Sequence, residues 1–250
     1  MTTTRGTDLA PRTCSTVPPA RGCSSLWRVM GPQATFGNSV AVSSDGARVV
    51  VGAFYDDDQG DRSGSAYVFD GTTGERLLKL VASDGAASDH FGISVAVSSD
   101  GARVVVGAKG DDDQGNNAGS AYVLDGTTGE RLLKLLANDG AAGDEFGYSV
   151  AVSSDGARVV VGAAGDEDQG DRSGSAYVFD GTTGERLLKL LASDGAAGDE
   201  FGISVSVSSD GARVVVGAAG DDDQGPGQRC WLRVRARRYH RREAAQACGE

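Results

Sequence analysis

The central part of this 250-residue sequence has no cysteine, proline or tryptophan. All four cysteines, five prolines and two tryptophans lie outside residues 36–225. A disulfide framework is therefore excluded for the central part. Aromatic residues make up only 6% of the chain, whereas glycine occurs 38 times. Such a composition is typical of short strands joined by tight turns rather than of a large aromatic core.

Basic residues are also scarce in the central part, which has 13 lysines and arginines against 32 aspartates and glutamates. Binding to a nucleic-acid backbone needs clustered lysine and arginine, so we exclude nucleic acid as a partner. No apolar run approaches the roughly 20 residues of a membrane-spanning helix, and we predict no membrane span in this chain. Residues 1–19 also lack the apolar region of a secretory signal.

Side chains for catalysis are few. The two histidines are His90, which occurs in one repeat only, and His240, which lies outside the central part. The serines of the central part recur without a base at matching spacing, so nucleophilic chemistry has no support. We therefore predict that the protein is not an enzyme. We place His90 in a surface loop, at the position that Glu145 and Glu200 occupy in other repeats.

The sequence does contain one phrase four times. "FGISVAVSSDGARVVVGA" at 91–108 returns almost unchanged from Phe36, Phe146 and Phe201, always 55 residues apart. A fixed period of this length indicates structural units that stack on one another. The predicted units are 36–90, 91–145, 146–200 and a half unit at 201–225.

Each unit is predicted to form four antiparallel strands. In the second unit these are 93–98, 102–108, 120–125 and 131–137. The first alternates apolar and small residues, and the second is rich in β-branched residues, as strands are. Between them, Asp100 and Gly101 predict a two-residue turn of type I′. That turn pairs Val95 with Val106. The fourth segment has a composition that also suits a helix, but a helix of seven residues is marginal, so we predict a strand.

The same turn also pairs Val97 with Val104, which completes a register with valine facing valine. Four short antiparallel strands in a tandem unit predict a blade of an all-β β-propeller. A parallel β-helix is the structural alternative, but its coils are usually shorter and need no hairpin turn. About three and a half blades are present, whereas a ring usually has about four or more. We therefore expect an incomplete propeller with exposed edges that allow association.

Two short motifs in every unit resemble the FG-GAP repeat, which forms the blades of integrin α-subunit propellers. The motif pairs are Phe36-Gly37 with Gly52-Ala53, Phe91-Gly92 with Gly107-Ala108, Phe146-Gly147 with Gly162-Ala163, and Phe201-Gly202 with Gly217-Ala218. The resemblance implies a propeller that acts as an adhesion or ligand-binding module outside the cell or on its surface. It also implies that ligands bind at the rim formed by the loops after the second and fourth strands.

The sequence departs from this family in two places. Phe54, Lys109, Ala164 and Ala219 stand where the family motif usually ends in proline. Between the first two strands the chain has "SSDG" where many family blades have a D-x-D-x-D-G calcium loop. One carboxylate cannot supply the six to eight oxygen ligands that Ca²⁺ takes. The usual calcium site of the family is therefore not transferred to this chain.

Carboxylates are concentrated elsewhere, on what we call the acidic rim, which the loops after the second and fourth strands form. This rim receives 22 of the 32 acidic residues of the central part. Its loop "DDDQGD" at 56–61 has oxygen donors at alternate positions beside a turn glycine, a pattern that suits Ca²⁺. The candidate ligands are Asp56, Asp58, Asp61, Asp111, Asp113, Asp166, Asp168, Asp171, Asp221 and Asp223.

Two interpretations of the acidic rim remain open. In the first, clustered carboxylates attract Ca²⁺ or a protein or glycan partner. In the second, the rim is a solvated fringe that keeps a repetitive β protein soluble and protects strand edges. The sequence favours the second, because consecutive aspartates seldom all point at one ion.

The end segments 1–35 and 226–250 differ from the units in composition. A single codon string for the repeated "DGTTGERLLKLV" gives residues 238–248 when read two bases later, and residues 16–26 when read one base later. We therefore expect residues 12–28 and 228–249 to be out-of-frame copies of the repeat that pack poorly.

We predict a non-enzymatic adhesion or ligand-binding module that uses the acidic rim. Two alternatives remain open at this stage. The chain is a fragment or gene-model product of a longer repeat protein with no ligand of its own, or it is the propeller part of a larger hydrolase-linked protein.

Overall fold

The computed structural model describes residues 36–220 and the backbone of one further strand at 231–235. These residues form strands and turns, with no helix among them. No helix in this part of the chain is therefore long and apolar enough to cross a membrane. The prediction for residues 1–35 and most of that for 226–250 lie outside the described residues.

Fifteen strands form four antiparallel sheets that follow one another in chain order. The strands are β1 (Val40–Val42), β2 (Arg48–Ala53), β3 (Ser65–Asp70), β4 (Arg76–Leu80), β5 (Ser94–Val97), β6 (Arg103–Ala108), β7 (Ser120–Asp125), β8 (Arg131–Leu135), β9 (Phe146–Val152), β10 (Arg158–Ala163), β11 (Ser175–Asp180), β12 (Arg186–Leu190), β13 (Ser204–Val207), β14 (Arg213–Gly217) and β15 (Trp231–Arg235). Blades 1 to 3 have four strands each, and the described residues of blade 4 form three. The blades do not close into a ring, so the fold is an incomplete β-propeller, as predicted.

The predicted strands and register of the second unit are confirmed. β7 has the predicted bounds, and β8 is a strand rather than a helix. Val95 pairs with Val106, and Val97 pairs with Val104. Alternation of side chains across the strand thus fixed the register, because a shift by one residue would expose the valines.

The predicted type I′ turn is wrong, although the hairpin is present. A type I′ turn needs positive φ at both central residues. Gly101 has a φ of 70°, whereas the φ of Asp100 is not positive. Side chains shape the turn instead, because Ser98 Oγ donates to Asp100 Oδ1 at 2.6 Å and accepts the Arg103 N–H at 3.0 Å.

Blade 4 contains more than the predicted half unit. Its third strand, β15, pairs antiparallel with β14 from Gly217 opposite Trp231 to Arg213 opposite Arg235. The sequence predicts that the fourth blade ends at residue 225. An unpaired strand edge readily accepts another extended segment, and β15 fills this position next to β14.

Each blade buries one face against the next blade. Val50 and Val68 of blade 1 pack with Val104 and Val106 of blade 2, and all four are 0% exposed. The corresponding residues repeat this packing at the two later junctions. Since burial of one valine contributes about 1.5–3 kcal/mol, the blade junctions are a main source of stability.

The paired FG and GA motifs place glycines where blades come closest. Gly92 N–H donates to Gly107 O at 2.9 Å within the hairpin of blade 2. A Cβ atom built on Gly107 would collide with the carbonyl oxygen of Gly147 in blade 3. Glycine is therefore required at this position because the neighbouring backbone occupies the space of a side chain.

Successive hairpin turns are also joined directly on the rim opposite the acidic rim, which we call the turn rim. Ser44 N–H donates to Ser99 O at 3.1 Å, Ser99 N–H to Ser154 O at 3.0 Å, and Ser154 N–H to Ser209 O at 3.1 Å. Each bond crosses one blade junction. These bonds form a ladder from blade 1 to blade 4.

Candidate binding surface on the acidic rim

The candidate calcium ligands fall into three groups with different surroundings. Asp221 and Asp223 lie outside the described residues. The buried carboxylates are Asp56, Asp111 and Asp166. The exposed ones are Asp58, Asp61, Asp113, Asp168 and Asp171. The structure therefore separates residues that adjoin one another in the sequence.

Asp111 is held in a closed set of hydrogen bonds in blade 2. It is 3% exposed. Its Oδ2 accepts bonds from Ser120 Oγ and Tyr122 OH, both at 2.9 Å, and pairs with Lys134 Nζ at 2.8 Å. Its Oδ1 accepts the Asp113 N–H at 3.0 Å. We call this arrangement the aspartate cage.

Blades 1 and 3 repeat the aspartate cage. The matching residues are Asp56, Ser65, Tyr67 and Lys79 in blade 1, and Asp166, Ser175, Tyr177 and Lys189 in blade 3. Burial raises the pKa of Asp56. The bonds from Ser65, Tyr67 and Lys79 outweigh burial and lower that pKa to about 2. The caged aspartate is therefore ionised at neutral pH and already neutralised by a lysine.

The cage lysine also links neighbouring blades. Lys134 Nζ contacts Asp113 Oδ2 at 2.6 Å and Asp84 Oδ2 of blade 1 at 3.2 Å. Asp84 in turn accepts bonds from Tyr122 OH at 3.1 Å and Arg131 Nη1 at 2.9 Å. Many carboxylates of the acidic rim thus hold blades together rather than facing an ion.

The calcium prediction finds no support in this geometry. Among residues 36–220, no group of three or more histidine, cysteine, aspartate or glutamate side chains is placed to hold a metal ion. The three caged aspartates already contact lysine, serine and tyrosine, so their oxygens are occupied. Calcium binding by this rim stays a prediction from the sequence.

A second set of buried carboxylates lies in the loops after β4 and β8. Asp89 is 3% exposed, and its Oδ2 accepts the Ala86 N–H at 2.7 Å. Burial raises the pKa of Asp89 to about 6, and the nearby charge of Asp111 adds to this shift. Burial likewise raises the pKa of Asp144, the corresponding residue of blade 2. The burial of these two residues was not predicted from the sequence.

The repeats differ from one another at few positions, and most of these meet on the acidic rim. Of 55 positions, 12 differ among the three complete units. Ten of the 12 lie in the loops after the second and fourth strands, which form the acidic rim. Backbone bonds connect them, such as His90 N–H to Arg62 O at 3.1 Å and Ile93 N–H to His90 O at 3.0 Å. We call the three groups of variable residues the junction clusters.

Cluster 1 consists of Phe54, Tyr55, Arg62 and His90, cluster 2 of Lys109, Asn117, Glu145 and Tyr148, and cluster 3 of Ala164, Arg172, Glu200 and Ile203. Cluster 1 is aromatic. The rings of Phe54 and Tyr55 lie 4.0 Å apart, and the His90 ring lies 5.9 and 6.0 Å from them. Arg62 stands 5.4 Å from the Tyr55 ring centre. His90 occupies the predicted loop position but is half-buried.

Clusters 2 and 3 are built on ion pairs instead. Lys109 Nζ contacts Glu145 Oε1 at 2.9 Å and stands 5.0 Å from the Tyr148 ring centre. Arg172 Nη2 contacts Glu200 Oε1 at 2.8 Å and Glu145 Oε2 at 3.9 Å. The same backbone therefore presents three patches of different chemistry along one rim.

The backbone of these clusters is strained at several side chains. All non-glycine residues with positive φ among those described are at variable positions of the acidic rim. They are Arg62, Ser88, His90, Asn117, Glu145, Arg172 and Glu200. A non-glycine residue in this conformation costs roughly 1–2 kcal/mol. At the position of Ser88, the other two units have glycine, Gly143 and Gly198.

A family model described as FG-GAP repeat matches residues 31–69, 76–124, 131–179 and 186–229. The chain belongs to the FG-GAP repeat family. The resemblance seen in the sequence is thus confirmed. The second and third matches each run from the fourth strand of one blade into the third strand of the next. The family unit therefore spans a blade junction.

Similarity to one solved structure supports the fold. Kuenenia stuttgartiensis hydrazine synthase aligns over 80% of this chain with a TM-score of 0.53 and 17% identity. This chain spans 46% of that one, less than half its length. The computationally designed Ika4 protein aligns over 80% of this chain and 92% of its own, with a TM-score of 0.49 and 24% identity. No curated protein matches the chain.

Proposed function

We propose that this FG-GAP protein is a non-catalytic binding module whose ligand contacts the junction clusters of the acidic rim. One observation carries the proposal. Units that are otherwise nearly identical differ mainly in the loops of the acidic rim, which carry the three clusters, so a constant scaffold presents varied side chains on one surface. Binding residues are commonly carried on loops that a rigid scaffold positions.

The strained backbone supports the same proposal. Glycine at residues such as His90, Glu145 and Glu200 would relieve a positive φ, yet each keeps a side chain. Strain of this kind persists where a side chain has a use that outweighs its cost. A sequence under selection for stability alone would favour glycine there, as two of the three units have at the nearby position of Ser88, with Gly143 and Gly198.

The chemistry of the surface favours a protein ligand with basic side chains. Exposed carboxylates such as Asp57, Asp61 and Asp171 surround the clusters and attract cations. The paired rings of Phe54 and Tyr55 offer a face on which an arginine or lysine can stack. A glycan would use the same rings with its hydroxyl groups on the carboxylates, and it is the second outcome of the test below.

The test removes cluster side chains without disturbing the backbone. We expect the triple variant H90G/E145G/E200G to fold with a free energy of unfolding within about 1 kcal/mol of the unchanged protein, since glycine suits positive φ. Both proteins are applied to an array of short peptides and to a glycan array. We expect basic peptides to bind the unchanged protein and binding to fall at least about tenfold in the variant.

The matched control is E130Q/E185Q, which also removes two negative charges, but from the turn rim. It should bind as the unchanged protein does. Binding to glycans alone would replace the basic ligand with a sugar. Equal binding by the triple variant, or no binding on either array, would contradict the proposal and favour a repeat product with no ligand of its own.

A further inference from the structure

The two ends of the blade series present unused copies of an interface that occurs three times inside the chain. At each internal junction, one blade offers a trailing face, and the following blade covers it with a leading face. Blade 1 offers a leading face with no described blade before it. Blade 4 offers a trailing face with no described blade after it.

The leading face of blade 1 is open along its inner strand, β1, whereas Val51, Tyr67 and Phe69 of the same face are buried. Val40 is 62% exposed, whereas its counterpart Val95 in blade 2 is 6% exposed. Val42 is 56% exposed. Around Gly37 there is no atom within 4 Å of a built Cβ, whereas at Gly92 the backbone of blade 1 fills this space. Exposed valines side by side on a strand are typical of a surface that a partner covers.

The trailing face of blade 4 is open at the matching place. Val215 is partly exposed, whereas Val160, its counterpart in blade 3, is 0% exposed. A Cβ built on Gly162 would collide with the Gly202 carbonyl of the next blade, but at Gly217 only Ser204 of the same blade is near. The glycine that admits a neighbouring backbone is thus present without that neighbour.

Polar groups at the two ends are also complementary. In the turn ladder, the N–H of one turn donates to the carbonyl of the turn in the following blade. Ser209 ends the ladder with an N–H that no described residue accepts, and Ser44 begins it with a carbonyl that receives no described ladder bond. Within β13 and β14, only Ser206, where the other units have alanine, departs from the residues of the internal trailing face. In β15, Trp231 and Arg233 stand at the register positions that Ala176 and Val178 hold in blade 3, so the likeness to an internal junction is confined to β13 and β14.

We propose that copies of this chain associate head to tail, with β13 and β14 of one copy packed on β1 of the next. The contact repeats the part of each internal junction in which the first two strands of one blade pack on the first strand of the following blade. Its two faces differ, so association is heterologous and produces a ring or a chain of copies. It uses the blade faces and leaves the junction clusters on the acidic rim free, so it stands apart from the proposed ligand site.

Sedimentation velocity of the full chain over a range of concentrations tests this contact. The unchanged protein should form larger species as concentration rises. V42E places a charge on the leading face, and G217A places a methyl group where the neighbouring backbone would lie. Each should raise the apparent dissociation constant at least about tenfold, because it blocks one face. V215E repeats the change on the trailing face.

Mixing the two variants provides the decisive measurement. V42E keeps an intact trailing face, and G217A keeps an intact leading face, so an equimolar mixture should form a 1:1 heterodimer and nothing larger. Thermal unfolding checks that both variants fold like the unchanged protein. The control G162A carries the same change inside the chain and should lower the melting temperature. An unchanged protein that stays monomeric, variants that still assemble, or a mixture without heterodimer would overturn the proposal.

Discussion

In the loops after β2, β6 and β10, the caged aspartates Asp56, Asp111 and Asp166 each carry a negative charge into a buried position. Such a charge is costly unless it is paired and hydrogen-bonded. Here serine, tyrosine, lysine and a backbone N–H satisfy it in three successive blades. The cage fixes the loop of the acidic rim on the sheet below, and the same loop carries part of a junction cluster.

Removal of one cage charge should therefore destabilise the fold. We expect D111N to lower the free energy of unfolding by about 3 kcal/mol, since the buried carboxylate that Ser120, Tyr122 and the half-buried Lys134 contact would become a neutral amide. The control D113N removes a carboxylate that is 55% exposed, and its cost should stay below about 1 kcal/mol. Urea unfolding measures both. Equal losses would show that burial of Asp111 has no special role.

Asp89 should make stability fall as pH rises. Its folded pKa of about 6 lies above the usual 3.8, so its contribution is fully present below pH 3.8 and is lost as pH rises through 6. We expect D89N to remove this loss and to raise the free energy of unfolding at pH 7 by about 1–2 kcal/mol. Urea unfolding between pH 4 and pH 7 measures it, with E75Q on the turn rim as control. A less stable D89N at pH 7 would contradict this.

The sequence indicated where the carboxylates lie but not what they contact. Asp56 and Asp58 are only two residues apart in the sequence, yet Asp56 is buried and Asp58 is exposed. The partners Ser65, Tyr67 and Lys79 follow at 9, 11 and 23 residues, and these spacings recur in blades 2 and 3. The recurrence of these spacings is a signal in the sequence from which the aspartate cage could be predicted. The burial of Asp89 could not be predicted from the sequence, because it depends on the loop of the next blade.

At the scale of strands, the sequence predicted most of what the structure contains. Alternation and β-branched runs gave the strands and the pairing of Val95 with Val106, since both follow from local side-chain direction. The turn type failed because Ser98 and Asp100 bond to each other and to the backbone, an option that a two-residue turn rule leaves out. Partners beyond one hairpin, such as the turn ladder, depend on how blades stack.

The turn ladder should appear in amide hydrogen exchange. The amides of Ser44, Ser99 and Ser154 donate across junctions and should exchange at least about tenfold more slowly than that of Ser209, which occupies the same turn at the end of the ladder. The measurement uses G217A at low concentration, so that association does not protect Ser209. Equal exchange at all four turns would show that the cross-blade bonds do not persist in solution.

Over the whole molecule, acidic residues exceed basic ones by 11. Rim carboxylates such as Asp84, Asp111 and Asp113 already form ion pairs with lysine or arginine. Added cations should therefore act by screening alone. We expect millimolar Ca²⁺ and Mg²⁺ to raise the melting temperature equally and by no more than a NaCl solution of the same ionic strength. A rise specific to Ca²⁺ would instead indicate a bound ion and would support the metal ligands predicted from the sequence.

The blade junction has one further consequence for the history of such a chain. Because the valine packing and the turn ladder use the same residues at every junction, these contacts do not depend on whether a unit is second or third. Duplication or deletion of a whole unit in the gene would leave them intact and would change only the junction clusters. The number of blades is thus free to drift, and only features at the two extremities can set where the series stops.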